Sequence, residues 1–179
     1  MVYCGSWRDS PVAVKVLRHT GLTLAASQAS LVSELRVLAR LRHRRVVRML
    51  CACVDLASAE GSAAIVMELM ERGSLYSMLH DDTRPHCPST DAQRLQCSIE
   101  IADGMYYLHS SRLIHRDLKS HNVLVNSRGG CKISDFGMAT YRGEGASRVS
   151  VRAGTAAWSS PESFDPDCVL RESTVGSVQ

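Results

Sequence analysis

The chain has 179 residues, 45% of them hydrophobic and 22% charged, which indicates one globular domain or one domain of two small lobes and argues against a disordered chain. Its net charge of +3 is too small to indicate nucleic acid as the main partner, and no apolar stretch approaches the roughly 20 residues that span a bilayer. Seven cysteines without a CxxC pair favour free thiols in a reducing, cytoplasmic setting over disulfides or zinc.

The first part of the chain combines predicted strands with one predicted helix. Residues 12–17 are rich in β-branched side chains and predict a strand, and the apolar runs 46–54 and 63–69 predict two more. Residues 27–42 contain no Gly or Pro and predict a helix. The leucines of this helix recur on one face: Leu31, Leu35, Leu38 and Leu41.

The second part is predicted to contain a short helix at 75–79 and a longer one at 91–110, which Thr90 or Asp91 caps. The inner face of the long helix is predicted to carry Leu95, Ile99, Ala102, Met105 and Tyr106.

Short strands are predicted at 123–125 and 131–134, joined by a turn that ends in glycine, and residues 138–157 predict a long irregular loop. Strands with one helix come first and helices with a few short strands follow. This order indicates an α+β fold with a small sheet-rich lobe and a larger helical lobe.

One segment carries the strongest chemical signal: His115-Arg116-Asp117-Leu118-Lys119-Ser120-His121-Asn122. It matches the protein kinase catalytic loop H-R-D-L-x-x-x-N at every fixed position. In that loop the Asp orients the attacking hydroxyl and accepts its proton, and the Asn supplies an amide oxygen to a metal ion. The resemblance therefore implies that Asp117 is the catalytic carboxylate and that Asn122 binds Mg²⁺.

Three further segments resemble kinase motifs in the family's order. Asp135-Phe136-Gly137 resembles the motif whose Asp holds magnesium between the β- and γ-phosphates. Val12-Ala13-Val14-Lys15 resembles the strand whose lysine binds the α- and β-phosphates, and Glu34 is the natural carboxylate partner of Lys15. Residues 154–162 resemble the end of the activation loop, with Ser160-Pro161-Glu162 where the family has A-P-E.

The chain is thus similar to eukaryotic protein kinase catalytic domains over about residues 2–162. The resemblance implies a bilobal α+β fold with a β-rich N-lobe carrying one helix at about 1–70, an incomplete helical C-lobe at about 71–162 and a divergent tail at 163–179. The family's glycine-rich loop would precede Met1, and its further helices would follow Glu162. We therefore expect a domain truncated at both ends, with apolar residues of the helix at 91–110 facing water.

The resemblance also implies an ATP site next to the predicted strand at 63–69. Met67 would be the gatekeeper beside the adenine, and the backbones of Glu68 and Met70 would bond its edge. The residues implied on the two faces of the adenine are Val2, Ala13 and Leu124.

Lys119 follows the catalytic Asp by two residues and, with Thr155, is typical of serine/threonine specificity in this family. Its charge would neutralise the transferring phosphoryl group. The segments His-Arg-Asp-Leu-Lys-Ser-x-Asn and Glu-x-Gly-Ser-Leu-Tyr resemble those of the tyrosine-kinase-like group, which includes Raf and mixed-lineage kinases.

Arg116 is expected to pair with a phosphate on the activation loop. Candidate acceptors of that phosphate are Thr140, Ser147 and Ser150.

Three functions stay open on the sequence. The first is an ATP-dependent, Mg²⁺-requiring protein serine/threonine kinase of intracellular signalling, which the retained set of Lys15, Glu34, Asp117, Asn122 and Asp135 favours. The second is an inactive kinase fragment or pseudokinase that acts as a binding module, which the missing ends favour. The third is a small-molecule phosphotransferase, against which the complete H-R-D-L-K loop argues.

Overall fold

The computed structural model describes residues 1–17, 35–55, 62–81, 83, 88–141 and 154–159. The strands are β1 (Val2–Trp7), β2 (Ser10–Leu17), β3 (Met49–Asp55), β4 (Ser62–Glu68), β5 (Gly73–Ser74), β6 (Leu113–Ile114), β7 (Val123–Val125), β8 (Cys131–Ile133) and β9 (Thr140–Tyr141). Residues 35–40 form helix α1, followed by α2 (Leu75–His80), α3 (Asp91–Ser110) and single 3₁₀ turns at Ser120–Asn122 and Ala156–Trp158. None of the helices within these ranges is long and apolar enough to cross a membrane.

The first four strands form one antiparallel sheet in the order β1-β2-β4-β3. The strand β1 was not predicted, because five of its six residues are exposed and it shows no buried apolar face. It is joined to β2 by Arg8 and Asp9, whose positive φ angles of 50° and 61° suit a two-residue hairpin turn. The predicted strands at 12–17 and 63–69 are confirmed as β2 and β4.

The strand predicted at 46–54 begins three residues late, at Met49. Val46 instead forms a parallel bridge with Ile133 of β8, and the Val47 amide donates to the Ile133 carbonyl at 2.9 Å. The Ile133 amide in turn donates to the Arg45 carbonyl at 2.8 Å. Tertiary pairing with β8 thus takes over the backbone groups that a longer β3 would have used.

Helix α3 has the predicted bounds and begins with a capping box between Thr90 and Gln93. The predicted inner face is wrong for four of its five residues. Leu95, Ile99 and Tyr106 are 62%, 54% and 75% exposed, as expected for apolar residues of this helix that face water. Ala102 is also exposed, and only Met105 packs against the core as predicted.

The face of α3 that is buried carries Glu100, Gly104 and Leu108. A Cβ on Gly104 would lie 2.8 Å from Ile133 Cδ1 and 2.9 Å from the Arg45 carbonyl oxygen, so only glycine permits this close approach. The Glu100 carboxylate accepts from the Cys131 amide at 2.7 Å and pairs with Arg45 at 2.8 Å. Gly104 and the hydrogen-bonded Glu100 therefore determine which face of α3 packs against the rest of the chain. Hydrophobic periodicity does not detect either residue.

One hydrophobic cluster joins the first sheet to the helical part. It contains residues of α1, the segment between α1 and β3, β4, α3, β6 and β8 together with Phe136: Val37, Leu38, Leu41, Val46, Ile65, Leu108, Leu113, Ile133 and Phe136. Leu38 and Leu41 belong to the predicted leucine stripe and are buried as expected, while Leu31 lies outside the described residues. Helix α1 contains Leu38 and ends at residue 40, two residues before the predicted end, so Leu41 directly follows it.

Residues 138–157 were predicted to be irregular, but β9 lies within this stretch and pairs with β6. The pairing of Leu113 with Tyr141 is a contact between distant residues, which local sequence does not reveal. Residues 142–153 lie outside the described residues. The arrangement as a whole is the predicted α+β fold.

Candidate active site

The β7–β8 hairpin brings two of the predicted site residues together. Val123 and Ile133 are cross-strand partners, so Asn122 before β7 lies next to Ser134 after β8. The Ser134 amide and hydroxyl both donate to the Asn122 carbonyl, at 2.8 and 3.0 Å. Asp135 therefore follows directly on the residue that is bonded to Asn122.

Asp117 lies at the centre of a hydrogen-bonded group. Its Oδ2 accepts from Asn122 Nδ2 at 2.9 Å and from Lys119 Nζ at 2.8 Å. Its Oδ1 accepts from the Thr155 hydroxyl at 2.7 Å, and Lys119 Nζ donates to that hydroxyl at 2.6 Å. A hydroxyl oxygen is thus held between a carboxylate and an ammonium group, which is the arrangement that an attacking hydroxyl requires.

The electrostatics of this group keep Asp117 ionised. Burial by itself would raise the pKa of the Asp117 carboxyl, but hydrogen bonds from Lys119, Thr155 and Asn122 act in the opposite direction and hold the pKa below its ordinary value. Because the combined effect of several donors exceeds the effect of burial, the carboxylate is available as a proton acceptor at neutral pH.

His115 supports the backbone around Asp117. Its side chain is fully buried, and its Nε2 donates to the Ser134 carbonyl at 3.0 Å while its Nδ1 accepts from the Asp117 amide at 3.3 Å. Burial lowers the pKa of His115, which matches a neutral ring with one donor and one acceptor nitrogen. The ring also packs against Phe136, with centroids 5.2 Å apart. The motif alone did not indicate this positioning role.

Two backbone positions in the site adopt the left-handed conformation without being glycine. Arg116 has φ 64° and Asp135 has φ 63°, and such conformations concentrate at functional sites. Gly154 has φ 117°, and a Cβ there would lie 2.6 Å from the Arg116 carbonyl oxygen. The absence of a side chain at Gly154 lets the backbone before Thr155 approach the catalytic segment closely enough for the contact with Asp117.

The Arg116 side chain donates from Nε to the Met138 carbonyl at 2.6 Å. Of its predicted phosphate-bearing partners, Thr140 lies in β9, while Ser147 and Ser150 lie outside the described residues. The pairing of Arg116 with a phosphate stays a prediction.

Lys15 on β2 contacts Asp135, with Nζ 2.9 Å from Oδ1. These are the residues predicted to bind nucleotide phosphate and metal, and the structure brings them together across the two parts of the fold. Glu34, the predicted partner of Lys15, lies outside the described residues, as does Ser160-Pro161-Glu162.

The residues predicted to surround an adenine lie on four strands and the segment after β4. Met67 is the cross-strand partner of Ala13, and Val2 is the partner of Lys15. Leu124 lies on β7, and Met70 is buried. The Glu68 carboxylate accepts from Lys132 at 2.6 Å and from the Arg48 amide at 2.8 Å, an anchoring role that sequence reasoning missed. Adenine contacts by these residues stay predictions.

The chemistry of Asp135 and Asn122 fits a magnesium ion. Carboxylate and amide oxygens are hard ligands, and Mg²⁺ in phosphoryl-transfer sites is held by one or two such groups together with substrate phosphates. Within the described ranges no group of three or more His, Cys, Asp or Glu side chains could hold a metal by itself. A site made of these two residues would therefore leave the other coordination positions to substrate phosphate oxygens and water.

Known proteins that are similar to this chain carry the names of protein kinases. Over 169 residues the chain is 38% identical to "Probable serine/threonine-protein kinase drkA" of Dictyostelium discoideum, an alignment that covers 90% of this chain and 24% of that protein. It is 36% identical over 163 residues to "Probable serine/threonine-protein kinase SIS8" of Arabidopsis thaliana, covering 90% and 15%. It is 35% identical over 193 residues to "Dual specificity protein kinase splA" of Dictyostelium discoideum, covering 97% and 8%.

The chain thus spans a quarter or less of the length of these relatives. The model of the family described as "Protein tyrosine and serine/threonine kinase" matches residues 1–177. That match covers nearly the whole chain, including the sheet, the helices and the Asp117 site, and the α+β fold is accordingly the bilobal kinase fold. The chain belongs to the protein tyrosine and serine/threonine kinase family.

Proposed function

We propose that this chain transfers the γ-phosphoryl group of ATP to serine or threonine hydroxyl groups of proteins. The observation that carries the proposal is the Thr155 hydroxyl held between Asp117 Oδ1 at 2.7 Å and Lys119 Nζ at 2.6 Å. A substrate hydroxyl that lay beside that of Thr155 would meet the same carboxylate as proton acceptor and the same positive charge.

In the proposed step the substrate oxygen attacks the γ-phosphorus and forms the new P–O bond. The bond from the γ-phosphorus to the bridging oxygen breaks and ADP leaves. The proton of the attacking hydroxyl passes to Asp117, which its lowered pKa keeps ionised beforehand. Lys119 stabilises the charge on the transferring group.

We assign the nucleotide and metal roles on the same basis. Lys15 would bind the α- and β-phosphates, with Glu34 as a further partner, and Asp135 and Asn122 would hold Mg²⁺. When bound, that ion neutralises charge on the phosphate oxygens. The contact between Lys15 and Asp135 at 2.9 Å supports a shared position for phosphate and metal. The proposed adenine contacts are Met67, the backbones of Glu68 and Met70, and the side chains of Val2, Ala13 and Leu124.

We further propose serine/threonine preference, membership of the tyrosine-kinase-like group and a cytoplasmic location. The contact of Lys119 with Thr155 supports the first, and so do the names of the drkA and SIS8 relatives. The phrase from Glu71 to Tyr76 and the Lys119-Ser120 pair support the second. Free thiols at five described cysteines, among them the buried Cys131, support a reducing compartment.

The test is Mg²⁺-dependent transfer of labelled phosphate from ATP to a generic serine/threonine protein substrate. Asp117→Asn should lower kcat by about 100- to 10,000-fold, the usual contribution of a positioned general base. Asp91→Asn is the matched control, because Asp91 is an exposed aspartate at the start of α3, and it should leave kcat unchanged.

Two results would count against the proposal. One is the absence of measurable transfer by the wild-type chain, which would favour a non-catalytic binding module of kinase descent. The other is equal transfer by the wild-type chain and Asp117→Asn, which would assign the activity to a different group.

A further inference from the structure

An exposed group of aromatic rings, which we call the ring cluster, lies beside the Asp117 site. It comprises Tyr76 and His80 of α2, His121 of the catalytic segment and Trp158 of the last 3₁₀ turn. Tyr76 stacks on His121 with centroids 3.7 Å apart, and Trp158 meets His121 edge-on at 5.7 Å. His80 contacts Tyr76 at 4.5 Å. Three separate elements thus build one aromatic surface.

The ring cluster is continuous with the residues that hold the hydroxyl. His121 immediately precedes Asn122, whose Nδ2 is 2.9 Å from Asp117 Oδ2. Trp158 follows Thr155 by one 3₁₀ turn, and its amide donates to the Thr155 carbonyl at 2.9 Å. An extended peptide advances roughly 3.3 Å per residue. Because the rings adjoin residues that contact Asp117, we expect a peptide with its acceptor hydroxyl there to place a side chain within about three residues of it on the rings.

The exposure of the rings leaves part of their surface accessible to a binding partner. Trp158 is 47% exposed and Tyr76 is 36% exposed, whereas aromatic side chains of this size contribute strongly to binding when they are covered. Mutual stacking holds the rings in place before any partner arrives, which lowers the entropic cost of binding.

The charges around the ring cluster determine which substrate side chain it suits. Helix α2 contains no acidic residue, and the carboxylate of Asp117 is already engaged by Asn122, Lys119 and Thr155. The positive charge in this hydrogen-bonded group is that of Lys119. The carboxylate of Asp81, which ends α2, accepts from Thr83. An arginine of a substrate would therefore meet the like charge of Lys119 and compete for carboxylates that already have partners, while an apolar ring would cover the aromatic faces without that cost.

We propose that the ring cluster selects serine or threonine substrates that carry a large apolar side chain, preferably aromatic, within about three residues of the acceptor. This inference rests on the proposed function, because it places the acceptor hydroxyl at Asp117. The ring cluster would act by binding, so its effect should fall mainly on KM.

The test uses peptides with one serine in a neutral background and Phe, Ala, Arg or Glu placed in turn at each of the three positions on either side. We expect kcat/KM to be about tenfold or more higher for Phe than for Ala at one position at least, in the range that a filled apolar pocket provides. Tyr76→Ala and Trp158→Ala should each reduce that preference through KM. Tyr106→Ala, which removes an exposed tyrosine of α3, is the matched control and should retain it.

A preference for Arg or Glu over Phe at every position would overturn the inference, as would a Phe preference that survives Tyr76→Ala and Trp158→Ala together. Peptide binding by fluorescence anisotropy gives a second readout that does not depend on turnover. Tighter binding of the Phe peptide than of the Ala peptide, lost in Tyr76→Ala, supports the ring cluster even if no phosphate is transferred. Equal binding of both peptides overturns it, whatever the outcome of the Asp117→Asn assay.

Discussion

At the scale of single residues, the hydroxyl of Thr155 connects the catalytic segment to the turn at residues 154–158. It donates to Asp117 and accepts from Lys119. Thr155→Val keeps the shape but removes the hydroxyl, so we expect kcat to fall about ten- to a hundredfold, since a hydrogen bond to a charged group contributes about 1.5–3 kcal/mol. Thr155→Ser should retain most of the activity. Steady-state phosphate transfer measures both, and equal loss in the two variants would contradict the role of the hydroxyl.

The same substitution has a consequence for pH dependence. Asp117 must be ionised to accept a proton, so activity is lost as pH falls through its pKa, which hydrogen bonds hold below the ordinary value. Thr155→Val removes one of those hydrogen bonds and should move the acid limb of the kcat/KM profile to higher pH. An unchanged acid limb would indicate that another group controls it.

The buried ring of His115 should make the stability of the fold depend on pH. Burial lowers its pKa in the folded chain below the ordinary 6.5. As pH falls through about 6.5, the unfolded chain takes up a proton that the folded chain does not, so the free energy of unfolding decreases. Urea unfolding at pH 7.5 and 5.5 should show a smaller difference for His115→Gln, which has no titrating ring. The control is His109→Gln at the exposed end of α3, which should keep the wild-type difference.

At the scale of elements, the packing of α3 depends on Gly104. Alanine is the better helix former by about 1 kcal/mol, yet its Cβ would lie 2.9 Å from the Arg45 carbonyl oxygen. Gly104→Ala should therefore destabilise the fold by about 1–3 kcal/mol, the usual cost of overpacking. Ser98→Ala on the exposed face of the same helix should have little effect. Chemical denaturation compares the two, and a stabilised Gly104→Ala variant would contradict the close packing.

Sequence patterns predicted the helices and strands whose periodicity or caps are local. The bounds of α3 and the Thr90 cap are examples, because capping involves residues only three positions apart. The patterns did not predict β9 or the buried face of α3. Those features depend on Tyr141 pairing with Leu113 and on Glu100 pairing with Arg45, and such partners become neighbours only in the folded chain.

At the scale of the whole molecule, one hydrophobic cluster contains both Ile65 of the sheet and Leu108 of α3, with Phe136 between the two parts of the chain. A shared core predicts a single cooperative unfolding transition. In hydrogen exchange under denaturant, amides of β4 and α3 should lose protection together. Phe136→Ala should lower the stability of both by about 3–5 kcal/mol, as expected for a buried aromatic side chain. Loss of protection in only one of the two elements would contradict the shared core.

The sequence by itself determined the family resemblance, the α+β class and the identity of the candidate catalytic residues. Asp117, Lys119 and Asn122 lie within six consecutive residues, so their spacing is visible without a fold. The tertiary structure alone decided the contacts between distant residues: Thr155 with Asp117, Lys15 with Asp135, and Tyr76 with His121. The physical reason is that these pairs are 38, 120 and 45 residues apart in the chain, and they become neighbours only when the chain folds.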